Sequence, residues 1–193
     1  MRKIAILTIT ILLACRLDAQ IMKLQYEKDG VIYPVVIDNS AMSTKTKKTA
    51  EELQQHRVSG ENWAMKPHQE CDEINRKVSP LFAISPKGVG TKTWEDAQNA
   101  CAQYQGLSGN ESEKGKWRLP TQREMIWIFI LGAMDNDLVT TGYTPFVDNS
   151  YYWCVTEYSG GINRAWYLQT HYGSSENGKP TTSLNHFRCI RDL

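Results

Sequence analysis

No excess charge of either sign marks this chain of 193 residues. Its 22 Lys and Arg stand against 21 Asp and Glu, a formal charge of +1. That balance supplies no electrostatic drive towards nucleic acid or an anionic membrane. Histidine is scarce, with His56, His68, His171 and His186 the full set, and none forms H-x-x-H or H-E-x-x-H. No C-x-x-C pair occurs either, so the sequence has no zinc-ligand spacing and no metal or other cofactor is expected. A G-x-S-x-G nucleophile elbow is also missing. Beyond the first residues, the longest wholly apolar run is Met125–Leu131, far too short to span a bilayer.

The first residues are different. Arg2 and Lys3 precede an apolar stretch from Ile4 to Ala14, the pattern of a secretory signal. Two cleavage sites compete. Leu17-Asp18-Ala19 suits an ordinary signal peptidase, whereas Leu12-Leu13-Ala14-Cys15 resembles a lipobox whose Cys15 would be acylated. Leu13 and Arg16 fit the second poorly, so residues 1–19 are assigned as a signal peptide. Removing them takes away Arg2, Lys3, Arg16 and Asp18 and leaves a formal charge of −1. The expected location is outside the cytoplasm, at the cell surface or in the periplasm, with membrane attachment only as a Cys15 lipoprotein.

Four cysteines then remain: Cys71, Cys101, Cys154 and Cys189. An even set in an exported protein favours disulfides, and four cysteines allow three pairings. Six tryptophans are a heavy aromatic load for a small domain, suited to a core or a contact surface.

Residues 20–79 read as an N-terminal extension, partly irregular. Val31–Tyr33 and Val35–Ile37 are short strands interrupted by Pro34, which places them at an edge or an irregular position. Ser40–Lys48 is polar and aperiodic, and Thr49–Arg57 is a weak helix. The compact domain is expected at 80–193. Leu81–Ile84 is its first strand. Thr93 caps a helix with Asp96 at N3, and Trp94, Ala97, Cys101 and Tyr104 share a face. Trp117-Arg118-Leu119-Pro120-Thr121-Gln122-Arg123-Glu124 is a second helix entrance. Pro120 keeps Leu119 extended, and Thr121 with Glu124 forms a capping box. The apolar run behind it predicts a central helix covered on several sides, ending at Gly132. Asp135-Asn136-Asp137 is read as a solvated acidic turn. Strands follow at Tyr151–Glu157, Ala165–His171 and His186–Arg191, the first two joined by a hairpin turn at Ser159-Gly160-Gly161. The class is α+β: two helices packed on a small antiparallel sheet.

Five ordered motifs resemble a known superfamily. Thr93–Cys101 resembles the first helix of C-type-lectin-like domains, and Phe187-Arg188-Cys189 their final strand. Trp117–Glu124 is similar to the W-R-L-P-T-x-x-E motif of the bacterial branch. Tyr152–Glu157 stands where that branch has Y-W-S-S-T-E, and Ala165-Trp166-Tyr167 and Phe187–Arg191 complete the order. The branch includes the formylglycine-generating (sulfatase-modifying) fold, the family named for the C-terminal domain of Legionella collagen-like protein, and the Fibrobacter major-domain proteins. Similar domains occur in surface and fimbria-associated proteins of gut Bacteroidales.

The resemblance implies a Cys101–Cys189 disulfide, which leaves Cys71 and Cys154 to pair or stay free. It implies no sulfatase-modifying activity, because Cys189 is then structural and the needed pair of active cysteines is incomplete. Calcium-dependent sugar sites in such lectins use E-P-N or Q-P-D with W-N-D, and none of these occurs here, so no calcium site is expected. The equivalent loops commonly carry the ligand surface. Here they hold Tyr158, Asn163, Arg164, Tyr172, Ser174, Asn177, Asn185 and His186, with the tyrosines and small polar residues that make a contact surface at low entropic cost. The expectation is an exported, non-enzymatic, adhesin-like domain binding a glycan or a protein. A structural or accessory subunit of a fimbria or surface assembly, with Val31–Ile37 pairing another chain, is the competing class, and a sulfatase-modifying-type enzyme the third.

Overall fold

The computed structural model describes residues 22–40, 78–88, 90–106, 109–135, 138, 140–158, 163–175 and 179–193. The expected weak helix at 49–57, the hairpin turn at 159–161, Cys15 and Cys71 lie outside the described residues.

The chain opens with a hairpin. β1 (Met22–Lys28) and β2 (Val31–Asp38) pair antiparallel around Asp29-Gly30, both at positive φ. Two successive left-handed residues give the turn that matches strand twist, and Asp-Gly is a preferred pair for it. β3 (Leu81–Ile84), β4 (Thr91–Lys92) and α1 (Trp94–Ala102) follow. A 3₁₀ turn (Glu111–Glu113) leads to β5 (Trp117–Arg118), and α2 (Gln122–Ile130) comes next. The remainder is β6 (Tyr151–Glu157), β7 (Arg164–Gln169), β8 (Lys179–Pro180), β9 (Asn185–His186) and β10 (Ile190–Asp192).

These strands build two sheets rather than the single small sheet expected. One runs β1-β2-β3-β10-β5 and the other β4-β9-β6-β7-β8. All pairings are antiparallel except the short one between β6 and β9. Among the described residues the class is α+β, with two helices and two mostly antiparallel sheets. The expected last strand is broken. Its first part is β9 in the second sheet and its last part is β10 in the first, with Phe187-Arg188-Cys189 crossing between them. Alternation along six residues cannot show that the chain changes sheet midway, because the partners are set by distant strands.

Val31–Ile37 is likewise one strand, not two, and it lies between β1 and β3 rather than at an edge. Pro34 is tolerated because the ladder skips it. The register passes from Tyr26↔Tyr33 to Leu24↔Val35, and β3 pairs only from Val36 onward. The missing amide hydrogen therefore breaks no bond.

Both capped helices form as read. Thr93 accepts from the Asp96 amide, and Thr121 with Glu124 makes the full capping box. Gly132, at φ 74, follows the C-cap Leu131. α2 is less enclosed than its sequence suggests. Met125 and Ile128 are buried, but Ile130 is 64% exposed.

Two linked cores result. One gathers Val35, Ile37, Phe82, Met125 and Tyr152, and the other Val36, Trp94, Trp117, Trp153 and Phe187. Cys101 in α1 and Cys189 are bonded, with Cα atoms 5.4 Å apart across a separation of 88 residues. Closing a loop of that length stabilises by about 4–5 kcal/mol in the chain-entropy account. Cys154 is a buried free thiol.

Candidate functional site

The opening of α2 organises the region through charge. Arg118 donates both terminal nitrogens to Glu124 at 2.8 Å and reaches Asp192 on β10 at 3.0 Å. Glu124 also accepts from the amides of Thr121 and Ser79, each at 2.8 Å. Burial alone would push the Glu124 carboxyl up, but the Arg118 charge and these bonds outweigh it and hold it below the usual range. Burial keeps Asp192 above its usual value despite Arg118. Thr121, Arg118 and Glu124 are all buried, so this is scaffold. The network joins Ser79, α2 and β10 at one point.

Arg188 is a second buried fixture. It donates to the carbonyls of Ser85 (2.9 Å), Thr144 (2.7 Å) and Pro145 (3.1 Å), and its guanidinium lies 4.4 Å from the Phe146 ring centre. Carbonyl dipoles and a ring face supply what a carboxylate would otherwise give. It pins the crossing strand to the loop before β6.

The seven described residues of the expected ligand surface do not gather in one place. β6 and β7 pair from Tyr151↔Gln169 to Glu157↔Ala165. Tyr158, Asn163 and Arg164 lie at the turn end of that hairpin. Tyr172 and Ser174 lie at its other end, roughly 20 Å away by strand rise. Tyr158 packs edge-on to Trp166, and Asn163 sits at φ 55 as a turn residue whose carbonyl accepts from Thr181. Asn185 is buried and pairs with Lys92. His186 stacks on Tyr152, and burial lowers its pKa, so it is neutral at pH 7. Asn177 lies outside the described residues.

The end that carries Tyr172 is the better-built surface. Tyr172 is 70% exposed. Its loop is braced from beneath: the Gly173 amide donates to Gln169, the Gln169 amide to Ser174, and the Ser175 hydroxyl to Tyr167. Gln122 of α2 donates to the Ser175 hydroxyl at 2.8 Å. Gly173, at φ 63, lies so close on Phe129 that a Cβ there would stand 2.2 Å from Cε1 of the ring. The loop thus lies along α2 from Phe129 back to Gln122. His171 packs edge-on to Tyr172, and its Nδ1 is 3.5 Å from Asp148. Gln169 donates to Asn149 at 3.1 Å. His171, Asp148 and Asn149 were absent from the expected site. Of the residues expected at the ligand surface, Tyr172 and Ser174 are the ones that lie at this corner.

Residues 38–191 match the family described as the Lcl C-terminal domain. The chain belongs to that family. No curated protein matches the chain. The Lcl C-terminal domain match covers everything from the end of β2 to β10, so it takes in the helix entrance, the disulfide and the Tyr172 loop. Most of the β1–β2 hairpin precedes it.

Among the described residues, no group of three His, Cys, Asp or Glu is placed to hold a metal ion. No helix there is long and apolar enough to cross a membrane.

Proposed function

We propose that this chain is an exported, non-enzymatic binding domain, adhesin-like and displayed at the bacterial surface, of C-type-lectin-like kind. It contacts a glycan or protein chiefly through the loop Thr170–Ser175. The observation that carries this reading is Tyr172: a large aromatic, mostly exposed, on a loop held by hydrogen bonds to β7 and α2. An aromatic anchor fixed before contact loses little entropy on binding. A disulfide joining the first helix to the last crossing strand supports the lectin-like assignment and an oxidising compartment. Buried Cys154, whose thiol is pushed up by desolvation and by Glu124, is a poor nucleophile, which weighs against a sulfatase-modifying enzyme.

Exposed Leu24 and Ile32 on the β1–β2 hairpin favour a second reading, a structural or accessory subunit of a fimbria or surface assembly. Array binding separates the two. On glycan and protein arrays, Tyr172→Ala is expected to lose at least tenfold in binding with an unchanged melting temperature, and chelation of calcium to change nothing. Retained binding by Tyr172→Ala removes the loop from the reading. Co-purification with surface subunits that depends on Leu24 and Ile32 selects the second.

A further inference from the structure

The β1–β2 turn and the 3₁₀ segment face each other across one end of the first sheet and enclose a cleft of about 310 Å³. Lys28 and Asp29 line it from the turn, Ser112, Glu113 and Lys116 from the loop, and Arg191 from β10. A narrow crevice of about 30 Å³ shares Tyr33 and Glu113 with it and is lined further by Pro34, Ile84 and Trp117. None of these residues belongs to the Tyr172 surface.

The charges in the cleft are of both signs and unevenly answered. Glu113 is almost fully buried. It accepts from Trp117 Nε1 at 3.2 Å and pairs with Arg191 at 3.1 Å and Lys116 at 3.5 Å. Asp192 is taken by Arg118. Lys28 and Asp29, neighbours on the turn, have no salt bridge among the described residues. Arg191 spends one nitrogen on Glu113, lies 5.4 Å over the Tyr33 ring and lines the cleft. Burial lowers the Arg191 pKa, and the nearby Asp29 carboxylate offsets part of that cost.

A polyanion would meet Asp29, Glu113 and Asp192 as well as the cations. A bare cation would meet Lys28, Lys116 and Arg191. A small molecule bearing one group of each sign satisfies both sets. The volume stands at the lower limit of ligand pockets, about 300 Å³, and the crevice admits a group no larger than a methyl. We propose that this cleft binds a short zwitterion, an amino acid or a dipeptide, with its carboxylate between Lys28, Lys116 and Arg191, its ammonium at Asp29, and a small side chain over Tyr33.

The test is an amide NMR titration of the full chain with L-alanine, L-alanyl-L-alanine, their N-acetylated and C-amidated forms, and inorganic sulfate. Unblocked ligand is expected to shift Lys28, Asp29, Ser112 and Arg191 saturably, and either block to weaken binding at least tenfold. Asp29→Asn keeps a residue suited to the left-handed turn. It should weaken the free dipeptide at least tenfold and the acetylated one less than twofold. Tighter binding of alanine assigns the cleft to free amino acids, and tighter binding of the dipeptide assigns it to peptide ends; each supports the proposal. Absence of shifts, equal affinity for blocked and unblocked forms, or sulfate binding as tightly as either zwitterion overturns it. Tyr172→Ala should leave the titration unchanged.

Discussion

Glu124 shows what one residue can carry. Its carboxylate closes the capping box of α2, neutralises Arg118 and anchors the Ser79 amide. Replacing it by Gln leaves Arg118 buried with Asp192 as its one acidic partner, and breaking such a pair costs about 3–5 kcal/mol. The pH dependence follows from the direction of its shift. A carboxyl held below its unfolded value of 4.5 adds stability above that pH and loses it as pH falls through the folded value. Asp192, shifted the other way, adds stability as it takes up its proton and softens the fall. Denaturant melts should therefore show Glu124→Gln well below the parent chain at pH 7, with the gap narrowing as pH falls below 4.5. A gap independent of pH would mean that shape, not charge, is what Glu124 contributes.

Elements were legible in the sequence where their causes are local. Thr93 with Asp96 and Thr121 with Glu124 are signals within four residues, and both helices start where they point. Tyr151–Glu157 reads correctly because its alternation answers one core on each face. What was illegible is non-local: the break between His186 and Ile190, the continuity of β2 through Pro34, and the separation of the candidate loops to opposite ends of one hairpin. The Tyr172 surface was half legible, since Tyr172 and Ser174 are suited to contact, whereas Asp148 and Phe129 come from distant segments. The packing of that loop on α2 has its own test. Gly173→Ala places a Cβ against Phe129 at a left-handed position, and overpacking of this kind costs about 1–3 kcal/mol. In a Phe129→Leu background the same substitution should cost less, leaving mainly the left-handed backbone term of about 1–2 kcal/mol. Equal costs in thermal melts of the two backgrounds would show that the loop does not rest on the ring.

At the scale of the whole molecule, the question is whether β1 and β2 are an appendage or part of the domain. The family match begins at Asp38, and the sequence reading set the compact domain at Pro80. Yet Val35, Val36 and Ile37 have no exposed surface, and they contribute to both cores. β2 also covers one edge of β3, through Val36↔Ala83, Ile37↔Phe82 and Asp38↔Leu81. Fully burying an aliphatic side chain stabilises by about 1.5–3 kcal/mol, so three of them approach the 5–15 kcal/mol that holds a typical domain together. The disulfide cannot replace this, because Cys101–Cys189 ties α1 to the crossing strand and leaves β3 uncovered. A chain beginning at Val78 should therefore bind a hydrophobic dye, lose cooperative thermal unfolding and aggregate even with the disulfide formed. Adding a peptide of residues 22–40 should restore cooperative melting, since the hairpin docks on β3 by the same register. A cooperative, dye-silent melt of the shortened chain alone would show that β3, α1, α2 and the second sheet fold without the hairpin, and would return β1 and β2 to the role of an extension.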